Sequence, residues 1–164
     1  MKLLSGLLLV LLSATLIPAM AELVDAASVD QFVERLEVNK PTTRSLRNLV
    51  VSQPSIDLMI QFDFDSAKIQ EASKPLLNNL AVAMKREKLA NLKFNVEGHT
   101  DAKGAADYNI RLSGRRAESV TDYLVQRGID KVRLNPVGKG AKDLLYPEQP
   151  TALENRRVRI STDL

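Results

Sequence analysis

Between Val96 and Ala117 the chain gathers the residue types that could do chemistry: His99, Asp101, Asn109, Ser113 and Arg116. A Ser-His-Asp relay would use three of them. Its context is wrong, because His99 and Asp101 share one short loop and no nucleophile elbow or oxyanion-hole motif accompanies Ser113. His99 is instead expected to be a loop residue whose ring satisfies backbone hydrogen bonds. Zinc requires three or four N or S ligands, whereas the chain has one His and no Cys. No catalytic residue, metal ligand or cofactor is expected.

A charge pair remains. Helical spacing runs from about Ala106 to Arg127 and stops at Gly128, a suitable C′ residue. On a wheel with Leu112 at zero, Tyr108, Ala117, Val120, Tyr123 and Leu124 form an apolar arc from about −40° to +140°. Arg116 falls at about 40°, Asn109 at about 60° and Ser113 at about 100°, all inside that arc. A guanidinium there is costly unless it is paired and hydrogen-bonded. Two readings are open. Arg116 makes a buried ion pair with Asp101 that fixes the loop, or both line a mouth at the strand-to-helix junction and meet a ligand, as ligands do at that end of α/β sheets. In the second case Asp101 would hold an ammonium group and the planar fork of Arg116 a carboxylate. Backbone N–H groups of HTDAKG would assist. Residue chemistry alone reaches a clamp for a zwitterion.

The elements that must position this pair follow from periodicity. SIDLMIQFDF alternates, with Ile56, Leu58, Ile60, Phe62 and Phe64 on one face, and predicts a strand. QEASKPLLNNLAVAMKREKL predicts a helix starting near Ser73, with Pro75 early enough to be tolerated. LKFNVE predicts a second strand, VRLNPVGKG a weaker third and RRVRIST a last one. The order β-α-β-α-β-β implies an α/β (α+β) two-layer sandwich, a mixed four-stranded sheet with two main helices on one face.

Upstream, residues 22–54 predict a tether with one short amphipathic helix. Val29, Phe32, Val33 and Leu36 are spaced i, i+3, i+4, i+7 behind Ser28 as N-cap. That helix either packs on the main domain, 55–164, or docks an outer-membrane partner through residues 28–38. Residues 1–21 carry Lys2, an apolar run and the small residues Ala19 and Ala21, the pattern of a signal peptide cleaved after Ala21. The alternative is an uncleaved anchor, since a span needs about 20 residues. Export makes the absence of cysteine informative: the fold uses no disulfide and cannot be acylated at one. Removing residues 1–21 leaves 22 basic against 20 acidic side chains. That net charge of +2 is too small to argue for nucleic acid despite an isoelectric point near 9.2.

Five segments in order, FDFDSAKI, VEGHTDAKG, YNIRLSGRRAESV, VGKG and ENRRVRI, resemble the OmpA-like C-terminal domain family over about residues 55–162. The resemblance implies a non-catalytic module of the Gram-negative periplasm. Such a module holds peptidoglycan non-covalently through the diaminopimelate of its stem peptide, whose side chain ends in an ammonium and a carboxylate. By position, Asp101 of GHTD and Arg116 of LS-x-x-RA match the family's ligand-binding pair, with Thr100 beside the first and Asn109 before the second. Asp65 matches a position that lines the site. Arg156 and Arg157 match a largely structural pair with one member near the site, so Arg157 and Ser113 form a second tier. YPEQPTALE departs from the family pattern, and no ligand contact is carried over from it. The implied partners are peptidoglycan and an outer-membrane protein. Retention of residues 3–20 would instead give an inner-membrane-anchored wall-binding protein.

Overall fold

The computed structural model describes residues 28–38 and 53–163; the expected signal peptide and most of the expected tether lie outside the described residues. Three helices and four strands follow in the order α1 (Val29–Leu36), β1 (Ser55–Leu58), α2 (Lys74–Met84), β2 (Lys93–His99), α3 (Ala106–Gln126), β3 (Leu134–Gly140) and β4 (Val158–Asp163). The sheet order is β1-β4-β2-β3. β4 runs antiparallel to both β1 and β2, and β2 runs parallel to β3 across the α3 connection. This is the expected mixed sheet with its two main helices, α2 and α3, and α1 is the short helix expected upstream. Among the described residues no helix is long and apolar enough to cross a membrane.

Strand alternation sends Ile56, Leu58, Phe94, Val96, Val158 and Ile160 into one aliphatic core with Leu76, Leu77, Leu80 and Met84 of α2 and Val120 and Leu124 of α3. The opposite face carries polar residues in register: Asp57 faces Arg159 across β1–β4, and Arg159 faces Glu97 across β4–β2. Arg159 grips Asp57 with two hydrogen bonds of 2.9 and 2.8 Å. Burial raises the Asp57 pKa, but the Arg159 hydrogen bonds and the charges of Arg157 and Arg159 outweigh it and leave the pKa lowered.

α1 is the helix its spacing predicts. Ser28 and Gln31 form a reciprocal capping box. Phe32 and Leu36 are fully buried in the shared core, and Thr162 Oγ1 donates to the Leu36 carbonyl at 2.8 Å. Its apolar stripe, considered for docking an outer-membrane partner, is therefore turned into the protein's own core. Asp30, Gln31, Glu34 and Arg35 face outward.

The first strand is shorter than alternation predicts. It ends at Leu58, opposite Val158, where the β4 ladder stops. The chain then folds on itself through a Phe62–Ile69 bridge, with Gln70 N donating to Gln61 O at 2.9 Å and Asp63 N to Lys68 O at 3.0 Å. Ile60 stays buried and Phe62 half-buried, but Phe64, expected on the core face, is 100% exposed. Asp65 turns the loop at φ 51°, a left-handed value that Asp tolerates.

α3 lies almost in contact with the sheet backbone, and two glycines make this possible. A Cβ on Gly98 would stand 2.1 Å from the Ser113 carbonyl oxygen, and one on Gly138 2.5 Å from that of Ile110. The helix closes in a Schellman motif, Gly128 N to Val125 O at 2.8 Å and Ile129 N to Leu124 O at 3.1 Å.

Candidate functional site

The β2–α3 loop starts on Thr100, carries Asp101 and is held from three sides. Thr100 N donates to Gly140 O at 2.9 Å and Ala102 N to Pro150 O at 2.8 Å. Asn109 Nδ2, from the first turns of α3, donates to Lys103 O at 2.9 Å and Asp101 O at 3.4 Å. So Asn109, expected to orient the Arg or touch the ligand, braces the loop that carries Asp101, and its side chain also lines the cavity. The Asp101 side chain is 9% exposed. Its Oδ1 accepts the Lys103 N–H at 3.0 Å, and its Oδ2 lies 3.9 Å from Arg156 Nε.

Arg116 reaches the same cavity from the middle of α3, about two turns beyond Asn109. Its Nε donates to Ser66 O at 3.0 Å, and its guanidinium lies 4.8 Å above the Phe62 ring. Among the described residues no carboxylate comes within 4 Å of its nitrogens, so the buried Arg116–Asp101 pair considered as an alternative is not formed. Burial and then the Arg156 charge push its pKa down, while Asp65 and Asp101 act the other way.

The cavity between these groups is about 760 Å³. Thr100, Asp101, Asn109 and Arg116 line it, as does Asp65, exposed on the rim. Arg157 also lines it, although its Nε is engaged by Asp57 at 2.8 Å and its Nη2 by Asp143 O at 3.1 Å. Of the arginine pair, Arg156 is the one that reaches Asp101.

Ser113 is not at the mouth. Fully buried, it donates to Ile110 O at 3.0 Å and accepts from Gly140 N at 2.9 Å, pinning α3 to β3. Its position at about 100° on the wheel points it to the sheet rather than along the cavity. His99 also corrects its expectation. It ends β2, its side chain is fully buried, and among the described residues neither ring nitrogen has a hydrogen-bond partner. Burial, followed by the charges of Arg157 and Arg159, lowers its pKa to about 4. Nε2 stands 3.8 Å from Glu97 Oε2.

Sequence reasoning missed Phe62, Ser66, Phe64 and Leu153. The last two are exposed apolar residues on the cavity wall. Phe62 and Phe64 were hidden by the alternation that read them as core. Leu153 lies in the segment from which no contact was carried over.

A family model for the OmpA family matches residues 61–159. The chain belongs to the OmpA family. Among its relatives, the outer membrane porin F of Pseudomonas aeruginosa is 43% identical over 86 residues, 52% of this chain and 24% of the porin. The solved structure of the peptidoglycan-associated lipoprotein from Burkholderia pseudomallei superposes with a TM-score of 0.55 at 26% identity, covering 70% of this chain and 92% of that one. The cell wall anchor of the T6SS from Pseudomonas aeruginosa gives 0.55 at 26% identity, covering 66% and 79%. The chain spans 24% to 53% of the first curated relatives' length. The three proteins are described as a porin, a peptidoglycan-associated lipoprotein and a cell wall anchor.

Proposed function

We propose that this OmpA-family domain holds peptidoglycan non-covalently through the diaminopimelate of the stem peptide, and thereby ties the cell wall to the outer membrane or to a protein in it. One observation carries the reading: Arg116 is fixed by Ser66 and Phe62 rather than by a carboxylate, and it faces a cavity whose other wall holds the buried carboxylate of Asp101. A guanidinium anchored through Nε keeps its terminal N–H pair for a carboxylate, and Asp101 suits the ammonium of the same zwitterion. Thr100, Asn109 and Asp65 complete the wall. The lipoprotein and wall-anchor relatives support the wall as the partner.

Co-sedimentation of the purified protein with isolated peptidoglycan tests this. Asp101→Ala and Arg116→Ala should each abolish pelleting while the circular dichroism and urea midpoint stay close to the parent. If both variants pellet like the parent, the clamp is wrong. Export through residues 1–21 and release into the periplasm predict a mature protein beginning at Glu22. Recovery of the uncleaved chain from the inner membrane would favour the anchored alternative.

A further inference from the structure

The two halves of the clamp are not equally ready for a ligand. Arg116 is preorganised, held through Nε and its ring-facing surface. Asp101 is a nearly buried carboxylate, and such a charge needs a compensating cation. Arg156 supplies it from 3.9 Å, beyond hydrogen-bond length, with its own side chain 47% exposed. Among the described residues Arg156 has no other carboxylate within 4 Å. After burial, it is also the charge that acts most strongly against Arg116.

We infer that Arg156 occupies the ammonium subsite of the empty domain as an exchangeable counter-ion, and that the ligand's own ammonium displaces it from Asp101. The inference rests on the clamp reading above. It makes Arg156 a residue that sets how far the site tells a zwitterion from a simple carboxylate, and its presence narrows that difference. A zwitterion brings an ammonium and releases Arg156 to solvent. A carboxylate without an amine cannot displace it, and meets instead a site where Arg156 adds positive charge. The long contact and the exposure of Arg156 keep exchange inexpensive, because a pair beyond hydrogen-bond length with its cation half in solvent is weakly held.

The test uses two probes of equal chain length, meso-diaminopimelate and its amine-free analogue pimelate, titrated calorimetrically into the parent, Arg156→Gln and Asp101→Asn. Arg156→Gln should bind diaminopimelate about three- to fivefold more tightly, and pimelate no more tightly than the parent does. The Arg156 Nε–H resonance of the parent should move on saturation with diaminopimelate toward its position in Asp101→Asn. A purely structural Arg156 would leave that resonance in place. If Arg156→Gln binds diaminopimelate as the parent does or more weakly, while parent binding still requires Arg116, the inference is overturned and the clamp stands. If neither parent nor Arg156→Gln binds diaminopimelate, the clamp reading and this inference fall together.

Discussion

Arg116, half-buried, and His99, buried, are both ionisable side chains drawn in from solvent, and the fold treats them in opposite ways. Arg116 keeps its charge by stacking on Phe62 and donating to a backbone carbonyl, and among the described residues no carboxylate lies within 4 Å of its nitrogens, so it remains available to an anion. His99 is stripped of partners and set near Arg157 and Arg159, which keeps it neutral. The linkage follows from the two states. Unfolded, the histidine takes up its proton near 6.5, and folded only near 4. Between these values the unfolded state binds more protons, so stability falls as pH drops through that window, by up to about 3 kcal/mol. Asp57, whose folded pKa is depressed, withdraws its contribution only below about pH 4. Urea midpoints of the parent should therefore decline between pH 6.5 and 4.5, and those of His99→Gln should stay flatter. A parent midpoint that does not move across that range would contradict the burial of a neutral His99.

At the scale of elements, the distance between α3 and the sheet decides where the site lies. Gly98 and Gly138 let the helix backbone settle on β2 and β3, and this brings Arg116 and Asn109 over the end of β2, where Asp101 emerges. Gly98→Ala should lower stability by about 2–4 kcal/mol in urea unfolding, because the obstructing atom is a backbone carbonyl that cannot turn aside. Gly114→Ala makes the contrast. Its Cβ would stand 3.9 Å from Gly138 Cα, an ordinary contact, and a helical Ala is favoured over Gly by up to about 1 kcal/mol. That variant should be as stable as the parent or slightly more so. Equal loss in both variants would mean that the loss at Gly98 does not come from its close approach to the α3 backbone. The overlong strand drawn from SIDLMIQFDF belongs to this scale too. Alternation continues through Phe64, yet a strand lasts only as long as its neighbour, and the β4 ladder ends opposite Leu58.

At the scale of the molecule, residues distant in sequence close one core. Phe32 and Leu36 of α1 reach it from before the first strand, and Lys88 pairs with Glu37 at 2.7 Å on the outside of that contact. α1 is thus part of the folded unit. Phe32→Ala should cost about 3–5 kcal/mol, read from thermal or urea unfolding. An unchanged midpoint would show that the helix is an appendage.

The amino-acid sequence by itself determined the elements whose causes are local. Periodicity drew α1, α2, α3, β2, β3 and β4 near their observed bounds, Ser28 and Gly128 ended their helices, and Arg116 stood out as a charge within an apolar stripe. Family motifs marked Asp101 and Arg116. What only the tertiary structure decided depends on groups far apart in the chain. Ser113 faces the sheet because Gly140 receives it, and Asn109 braces a loop instead of touching the arginine. Arg116 rests on Phe62 and Ser66, 54 and 50 positions away, rather than on Asp101. Arg156 meets Asp101 only because β4 lies beside β2. A pattern of residue types specifies which face is buried, but the partner of a buried charge is chosen by strand order and backbone approach.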